Sequence, residues 1–481
     1  MNTKLSKKDY TLIASMLFGM FFGAGNLIFP LILGAKAGAS MPSALVGMLI
    51  TAVGIPLLGV MSMGISRSEG LLHMSSRVSK GFSYFFTCAL YLTIGPFFAI
   101  PRCGATSFSV GILPLAGDHK VLVQAIFTLV FFGAVLFFSL RPSKIMDSVG
   151  KWLNPIFLVL LAVLTLTVLV SPINGVAKVP SNGDYAENAF FAGFLQGYDT
   201  LDALASLAFG IIVINVIRDH NVTEPSRIAK STVRSGVFSM AFMAVIYGII
   251  ALVGTECYNL YADRLSDSNF NGGDAFSIIA EHYFGKAGLI ILALTVTFCC
   301  LKTAVGLVTS CSETFVGMFP KSISYRAYAI IFTAFSFLVS NIGLSNIISF
   351  SAPVLYFLYP LAIVLILLNI FGKFFGYRQC VFVWTIGFTG IAAICDLIRV
   401  SGIEALNPVI AGIGKVLPFY SIGMGWVAPA AIGLVIGLVA AHKAQRKCRQ
   451  DSLKHDAAVT QCPAKPLQGS CEVLDFRQNI W

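Results

Sequence analysis

The chain is 481 residues long, 57% hydrophobic and only 11% charged, less than half the roughly 25% charge of ordinary soluble domains. With a mean hydropathy of +0.83, this excludes a soluble enzyme and a disordered chain. The formal charge of +11 is better explained by basic loops between membrane spans than by a nucleic-acid surface, so no nucleic-acid partner is expected.

A helix needs about 20 apolar residues to cross a bilayer. Runs of that length occur at 11–35, 42–66, 81–111, 121–140, 151–171, 193–217, 232–254, 287–312, 326–344, 350–371, 380–398 and 423–442. They predict an all-α polytopic membrane protein with about 12 transmembrane helices. Residues 1–10 precede the first run and carry Lys4, Lys7 and Lys8; that run exceeds signal-peptide length and reads as a retained span. Counting Lys and Arg outside the spans gives 21 on the side of the termini and 7 on the other, so both termini are expected in the cytoplasm.

The first span contains Gly23, Gly25 and Pro30 within eight residues. Gly costs about 1 kcal/mol and Pro about 3 kcal/mol in a helix interior, which favours a break at membrane depth. Close helix packing is the alternative reading of Gly19, Gly23 and Gly25. The third span, 81–111, is long enough to be tilted or broken and holds Gly95, Pro96, Pro101 and Arg102. Arg102 reads equally as a charge in a helix break, paired with a carboxylate, or as a side chain reaching the outer interface.

The sixth span places Gln196, Gly197, Tyr198, Asp199, Thr200 and Asp202 at or near the bilayer, costly unless they face a wet or paired site. Spans one and six are five apart, hence of opposite direction. Interrupted helices at matching positions of two inverted halves point to a secondary transporter with its site at the midplane. Residues 11–171 and 193–371 are then the two five-span repeats, 380–442 two further helices, and 443–481 a mobile cytoplasmic tail. Free N–H groups at such breaks suit a carboxylate and freed carbonyls suit a cation, so an amino acid fits both.

In the eighth span Cys299, Lys302, Thr303, Gly306 and Ser310 share a helical face, read as an inward polar stripe. Lys302 lies near the span centre, where burial costs roughly 2.5–3.5 kcal/mol, so a functional role or a carboxylate partner is expected. Asp396 and Arg399, three apart, read as a local interfacial pair. The eleven cysteines have no framework spacing, and the six histidines form no metal-ligand pattern. The chain also lacks a G-x-x-x-x-G-K-[ST] phosphate loop, which argues against ATP-driven transport.

Several motifs agree in order with one family: Phe22-Gly23-Ala24-Gly25-Asn26-Leu27-Ile28-Phe29-Pro30, Gly95-Pro96 with Pro101-Arg102, Gly197-Tyr198 through Thr200 to Leu204, Thr303 to Leu307, and Val339 to Ser345. Over about residues 6–442 the chain resembles the bacterial branched-chain amino acid carriers of transport system II, the leucine/isoleucine/valine:cation symporters. The resemblance implies a LeuT-like 5+5 inverted repeat with broken helices 1 and 6, in the bacterial inner membrane. It implies leucine, isoleucine and valine as substrates and Na⁺ or H⁺ as the coupling ion, without a cofactor. Gly23, Ala24, Gly25 and Asn26 would then meet the substrate together with Gly197, Tyr198, Thr200 and Asp202. Phe22, Lys302, Thr303 and Gly306 would face the coupling cation, with Na⁺ at Phe22 and Thr303 unless Lys302 replaces it. Arg102, Ser109 and Asp199 would form a supporting network. Family members carry an uncharged residue at Lys302 and an acidic one at Ser109; a lysine beside the cation site would favour H⁺ coupling over Na⁺. The rival substrate is another apolar amino acid such as methionine, and the rival class is a channel.

Overall fold

The structure is a computed structural model that describes residues 6–23, 25–140, 159, 161–219, 222, 224–267 and 269–460. Its chain is helical, with no strand among the described residues. α1 (Lys7–Phe21) opens on a capping box in which Ser6 and Asp9 satisfy each other's backbone N–H groups. It ends where Phe22 turns extended (φ −73, ψ 104), and α2 (Gly25–Ala37) resumes three residues later. α3 (Met41–Leu49) runs through a wide turn into α4 (Ile55–Ser66), and the short α5 (Leu71–Ser76) follows. α6 (Lys80–Leu92) and α7 (Ala99–Ser107) are separated by a wide turn in which Gly95 leaves helical geometry, the break that Gly95-Pro96 foreshadows.

α8 (Lys120–Leu140) comes next, and the fifth predicted span is described only in part, as α9 (Leu161–Val170). α10 (Asp184–Gln196) and α11 (Asp202–Asp219) form a pair bent by 47°. Beyond them lie α12 (Pro225–Glu256), α13 (Gly272–Met318), α14 (Tyr325–Ser340), α15 (Leu344–Phe371), α16 (Gln379–Val400), α17 (Asn407–Val416) and α18 (Val427–Thr460). Among the described residues eight helical stretches are long and apolar enough to cross a bilayer, nine if α10 and α11 count as one span. Twelve runs are not resolved as twelve such stretches because α9 and α14 are short and α2 through α4 form a single continuous stretch.

Three boundaries differ from the hydropathy reading. α10 starts at Asp184 rather than 193, because Asp184 and Glu187 suit the positive end of a helix yet lower local hydropathy. α13 starts at Gly272 rather than 287, capped by Asn271 and Asp274 and kinked at Gly285 (φ 60), so much of the expected outer loop is helical. α18 continues as helix to Thr460, into the polar stretch expected to be mobile from 443; residues 461–481 lie outside the described part.

The helices pack in a pattern that brings both broken helices to the centre. α2 lies along α12, α10 on α3, α11 on α4 and α13 on α7, while α16 bridges α15 and α18. The α2–α12 contact is backbone on backbone. A Cβ on Gly34 would lie 1.9 Å from the Ala251 carbonyl oxygen, one on Gly254 2.1 Å from that of Leu31, and Thr255 Oγ1 donates to the Gly34 carbonyl at 2.8 Å. Small residues at such a seam permit the close van der Waals approach on which helix association in lipid depends. Outward faces are apolar: Val121, Leu129 and Val130 of α8 are 61–83% exposed, as a lipid-facing surface requires.

Candidate functional site

At the first break the chain is held open by a side chain. Asn26 Oδ1 accepts the Gly23 N–H at 2.7 Å, and the Asn26 N–H donates to the Gly23 carbonyl at 3.2 Å. The same amide group spans the molecule: Asn26 Nδ2 donates to Asp202 Oδ2 at 2.8 Å and also to the Tyr247 hydroxyl. Tyr247 of α12 donates to the same Asp202 oxygen at 2.8 Å. Asn26 and Asp202 are 2–3% exposed and Tyr247 fully buried. A buried carboxylate that accepts two hydrogen bonds recovers part of its desolvation cost and is fixed in orientation.

The second break closes on itself. Thr200 Oγ1 donates to the Gly197 carbonyl at 2.9 Å, and the Leu201 N–H to the Tyr198 carbonyl at 3.1 Å. Leu201 sits in the left-handed region (φ 66), a strained state for a branched side chain that allows α11 to restart in a new direction. Gly197 is here a packing residue: a Cβ would lie 1.9 Å from Thr51 Oγ1, which donates to the Phe194 carbonyl at 2.7 Å.

Both breaks open on one small cavity of about 60 Å³, lined by Gly23, Gly25, Asn26, Thr200, Leu201 and Asp202, with Arg102 and Thr303. Met20, Phe21, Ile94, Phe209 and Leu307 make the rest of its wall apolar. Typical ligand pockets hold roughly 300–1,000 Å³, so the cavity in this conformation is constricted.

Arg102 of α7 is 3% exposed. Its guanidinium donates to the Asp199 backbone carbonyl and to Ser351 Oγ of α15 at 3.3 Å, and lies 5.1 Å from the centre of the Phe29 ring. The Asp199 carboxylate turns the other way, accepting Gln196 Nε2 at 2.8 Å beside a larger cavity of about 600 Å³ lined by Lys36, Tyr185, Gln196 and Tyr356.

The structure thus gathers Gly23, Gly25, Asn26, Thr200, Asp202, Arg102 and Thr303 around one space. Ala24 lies outside the described residues. Phe22 is buried at the end of α1, stacked on Phe18 with centroids 4.9 Å apart. Thr303 meets the first break directly, since a Cβ on Gly23 would lie 3.6 Å from its Oγ1.

Four expectations are corrected. Tyr198 does not line the cavity; its ring stacks on Tyr359 with centroids 4.2 Å apart, because aromatic surface on the outer side of the bend finds α15. Ser109 leaves the Arg102 cluster and donates to Asp274 Oδ1 at 2.8 Å, since two helical turns separate it from Arg102. The polar stripe on α13 is not the inward face: Cys300, Ala304, Leu307 and Cys311 are buried, Lys302 is half-buried and Gly306 exposed. Packing against α7 fixes that rotation and leaves Thr303 as the stripe residue on the cavity. Asp396 and Arg399 do form an ion pair, at 3.6 Å, but it is buried rather than interfacial: Asp396 is fully enclosed, and the Arg399 guanidinium lies 5.3 Å from the Tyr420 ring.

Sequence reading missed Tyr247 and Ser351. A single phenol in the middle of the apolar span 232–254 was the available signal, because a tyrosine hydroxyl at that depth needs a partner.

Paired helix breaks around a buried carboxylate, within an all-α membrane fold, define a secondary-transporter architecture. The chain belongs to the family described as branched-chain amino acid transport proteins, which it matches over residues 6–444. It is 48% identical over 435 residues to the branched-chain amino acid permease BrnQ of Lactobacillus delbrueckii subsp. lactis, covering 90% of this chain and 96% of that one. It is 39% identical to the permease BrnQ of Bacillus subtilis, over 91% of this chain and 98% of the relative. Among solved structures it resembles Mhp1, a nucleobase-cation-symport-1 family transporter, with a TM-score of 0.57 at 13% identity over 91% of this chain and 93% of that one. It also resembles MhsT, with a TM-score of 0.54 at 16% identity over 92% and 99% of the two chains. The fold is that of the LeuT-like transporters, and the chain is a multi-pass membrane transporter rather than an enzyme.

Proposed function

We propose that the protein imports leucine, isoleucine and valine together with a cation, Na⁺ or H⁺, across the inner membrane of a bacterium by alternating access, with both termini in the cytoplasm. The observation that carries this reading is one cavity that pairs an oriented carboxylate, Asp202, with apolar walls from Phe21, Ile94, Phe209 and Leu307. Asp202 receives the substrate ammonium, and the apolar wall takes the branched aliphatic chain, whose burial is worth roughly 1.5–3 kcal/mol. The relatives named as branched-chain amino acid permeases support the substrate class, and the excess of Lys and Arg on one side supports the orientation.

The coupling cation sits where Thr303 meets the Gly23 break. Lys302, the preceding residue of α13, does not line that cavity, and its charge disfavours a second cation there only through space, which favours H⁺ over Na⁺. Uptake of labelled leucine into proteoliposomes, driven first by a Na⁺ gradient and then by a pH gradient, tests both parts. Accumulation against the leucine gradient under either condition is the expected result, and equilibration without accumulation would indicate a channel. Lys302→Thr is expected to raise the stimulation by Na⁺; unchanged ion dependence would remove Lys302 from the coupling step.

A further inference from the structure

We infer that Arg102 is the receptor for the carboxylate of the transported amino acid, so that the cavity recognises a zwitterion by one fixed charge of each sign. The inference rests on the amino acid transport proposed above and adds the group that selects the acid end of the substrate. The free N–H groups of the first break are the expected carboxylate site. Here the Gly23 N–H is already bonded to Asn26 Oδ1 and the Asn26 N–H to the Gly23 carbonyl, so two of those amides are engaged within the break itself.

Arg102 offers what the amides lack. It lines the same cavity as Asp202, is 3% exposed, and its Nε has no hydrogen-bond partner among the described residues. Its hydrogen bonds go to neutral oxygens, the Asp199 carbonyl and the Ser351 hydroxyl; the Asp199 carboxylate acts on it through space, but no carboxylate forms an ion pair with it among the described residues. Asp202, for its part, is bonded to an amide and a phenol and has no cationic partner among the described residues. A buried charge without a counter-charge is expensive, whereas a guanidinium suits planar, two-oxygen recognition of a carboxylate. A bound zwitterion brings an opposite charge into direct contact with each of Arg102 and Asp202 at once. A ligand with only one charged end leaves the other wall uncompensated.

Ser351 and Asp199 position the guanidinium from α15 and from the second break, and Phe29 of α2 lies against its face. Carboxylate binding at Arg102 therefore ties α7 to the broken helices and to α15.

The test is equilibrium binding to the purified full-length protein of leucine and of leucinol, which keeps the ammonium and the side chain but lacks the carboxylate. Wild type is expected to prefer leucine. Arg102→Gln is expected to weaken leucine by roughly ten- to a hundredfold while leaving leucinol within about twofold, so that the preference collapses. Equal weakening of both ligands would make Arg102 a structural latch and overturn the assignment. Arg102→Lys keeps the charge without the fork and is expected to restore part of the preference, which gives a result even if the glutamine variant does not fold; a lysine variant with no preference at all would also overturn it. Ser351→Ala loses a positioning contact and is expected to lower the preference only a few-fold. If wild type binds neither ligand, the transport reading itself fails; if wild type binds leucine and the preference survives Arg102→Gln, only the assignment to Arg102 fails.

Discussion

The two helix breaks are kept open by different means. The first, at Phe22–Gly23, is tied across the protein, because one Asn26 side chain bonds backwards to Gly23 and outwards to Asp202 and Tyr247. The second, at Gly197–Leu201, closes its turn locally, with a threonine hydroxyl, a left-handed leucine and a glycine that lets the bend rest on Thr51, and its tie to a distant helix is through the backbone, at the Asp199 carbonyl that accepts from Arg102. The first break should therefore report on contacts between the two halves of the protein, and the second on local geometry. Under the alternating-access function proposed above, this hydrogen-bonded bridge is the element expected to open and re-form in each cycle.

That contrast can be broken at four points. Asp202→Asn removes the charge at which the bridge converges and that, in the proposed function, receives the substrate ammonium. Leucine uptake is expected to fall by roughly a thousandfold with the protein still folded, and uptake within threefold of wild type would remove Asp202 from the site. Asn26→Ala leaves the Gly23 N–H and Asp202 each short of a partner in a buried place; denaturant unfolding in detergent should show a loss of about 3 kcal/mol. A loss under 1 kcal/mol would mean that water replaces the bridge. Gly197→Ala forces a methyl against Thr51 and should destabilise by about 2 kcal/mol, whereas pairing it with Thr51→Ala, which removes the nearest atom but keeps a Cβ 2.9 Å away, should recover part of that. Thr200→Val removes two local hydrogen bonds at constant shape, the one donated to the Gly197 carbonyl and a long one accepted from the Asp202 N–H; a change of about 1–2 kcal/mol is expected, and one as large as that of Asn26→Ala would erase the difference between the breaks.

Much of this was legible in the sequence, for definite reasons. Gly23, Gly25 and Pro30 mark the first break because helix propensity is a local property, and Asp202 stands out because a carboxylate at bilayer depth is costly wherever the chain goes. Asn26 was legible as part of the break, but not its reach to Tyr247, since a bond across 221 positions depends on how α2 lies on α12. Arg102 was visible as a charge, but its protein partners are a backbone carbonyl and a serine, which no charge pattern can signal. Tyr198 and Gly306 misled for related reasons: an aromatic at a bend serves packing as readily as binding, and a helical wheel gives a face without saying which neighbour it meets.

The most direct test is a structure of the full-length wild-type protein determined with leucine bound. The ligand is expected between the two breaks, its ammonium at Asp202, its carboxylate at Arg102 and its side chain toward Phe21, Phe209 and Leu307, in a cavity wider than the present 60 Å³. Leucine found only in the larger cavity beside Lys36 and Gln196, with Asp202 still bonded to Asn26 and Tyr247 alone, would contradict it.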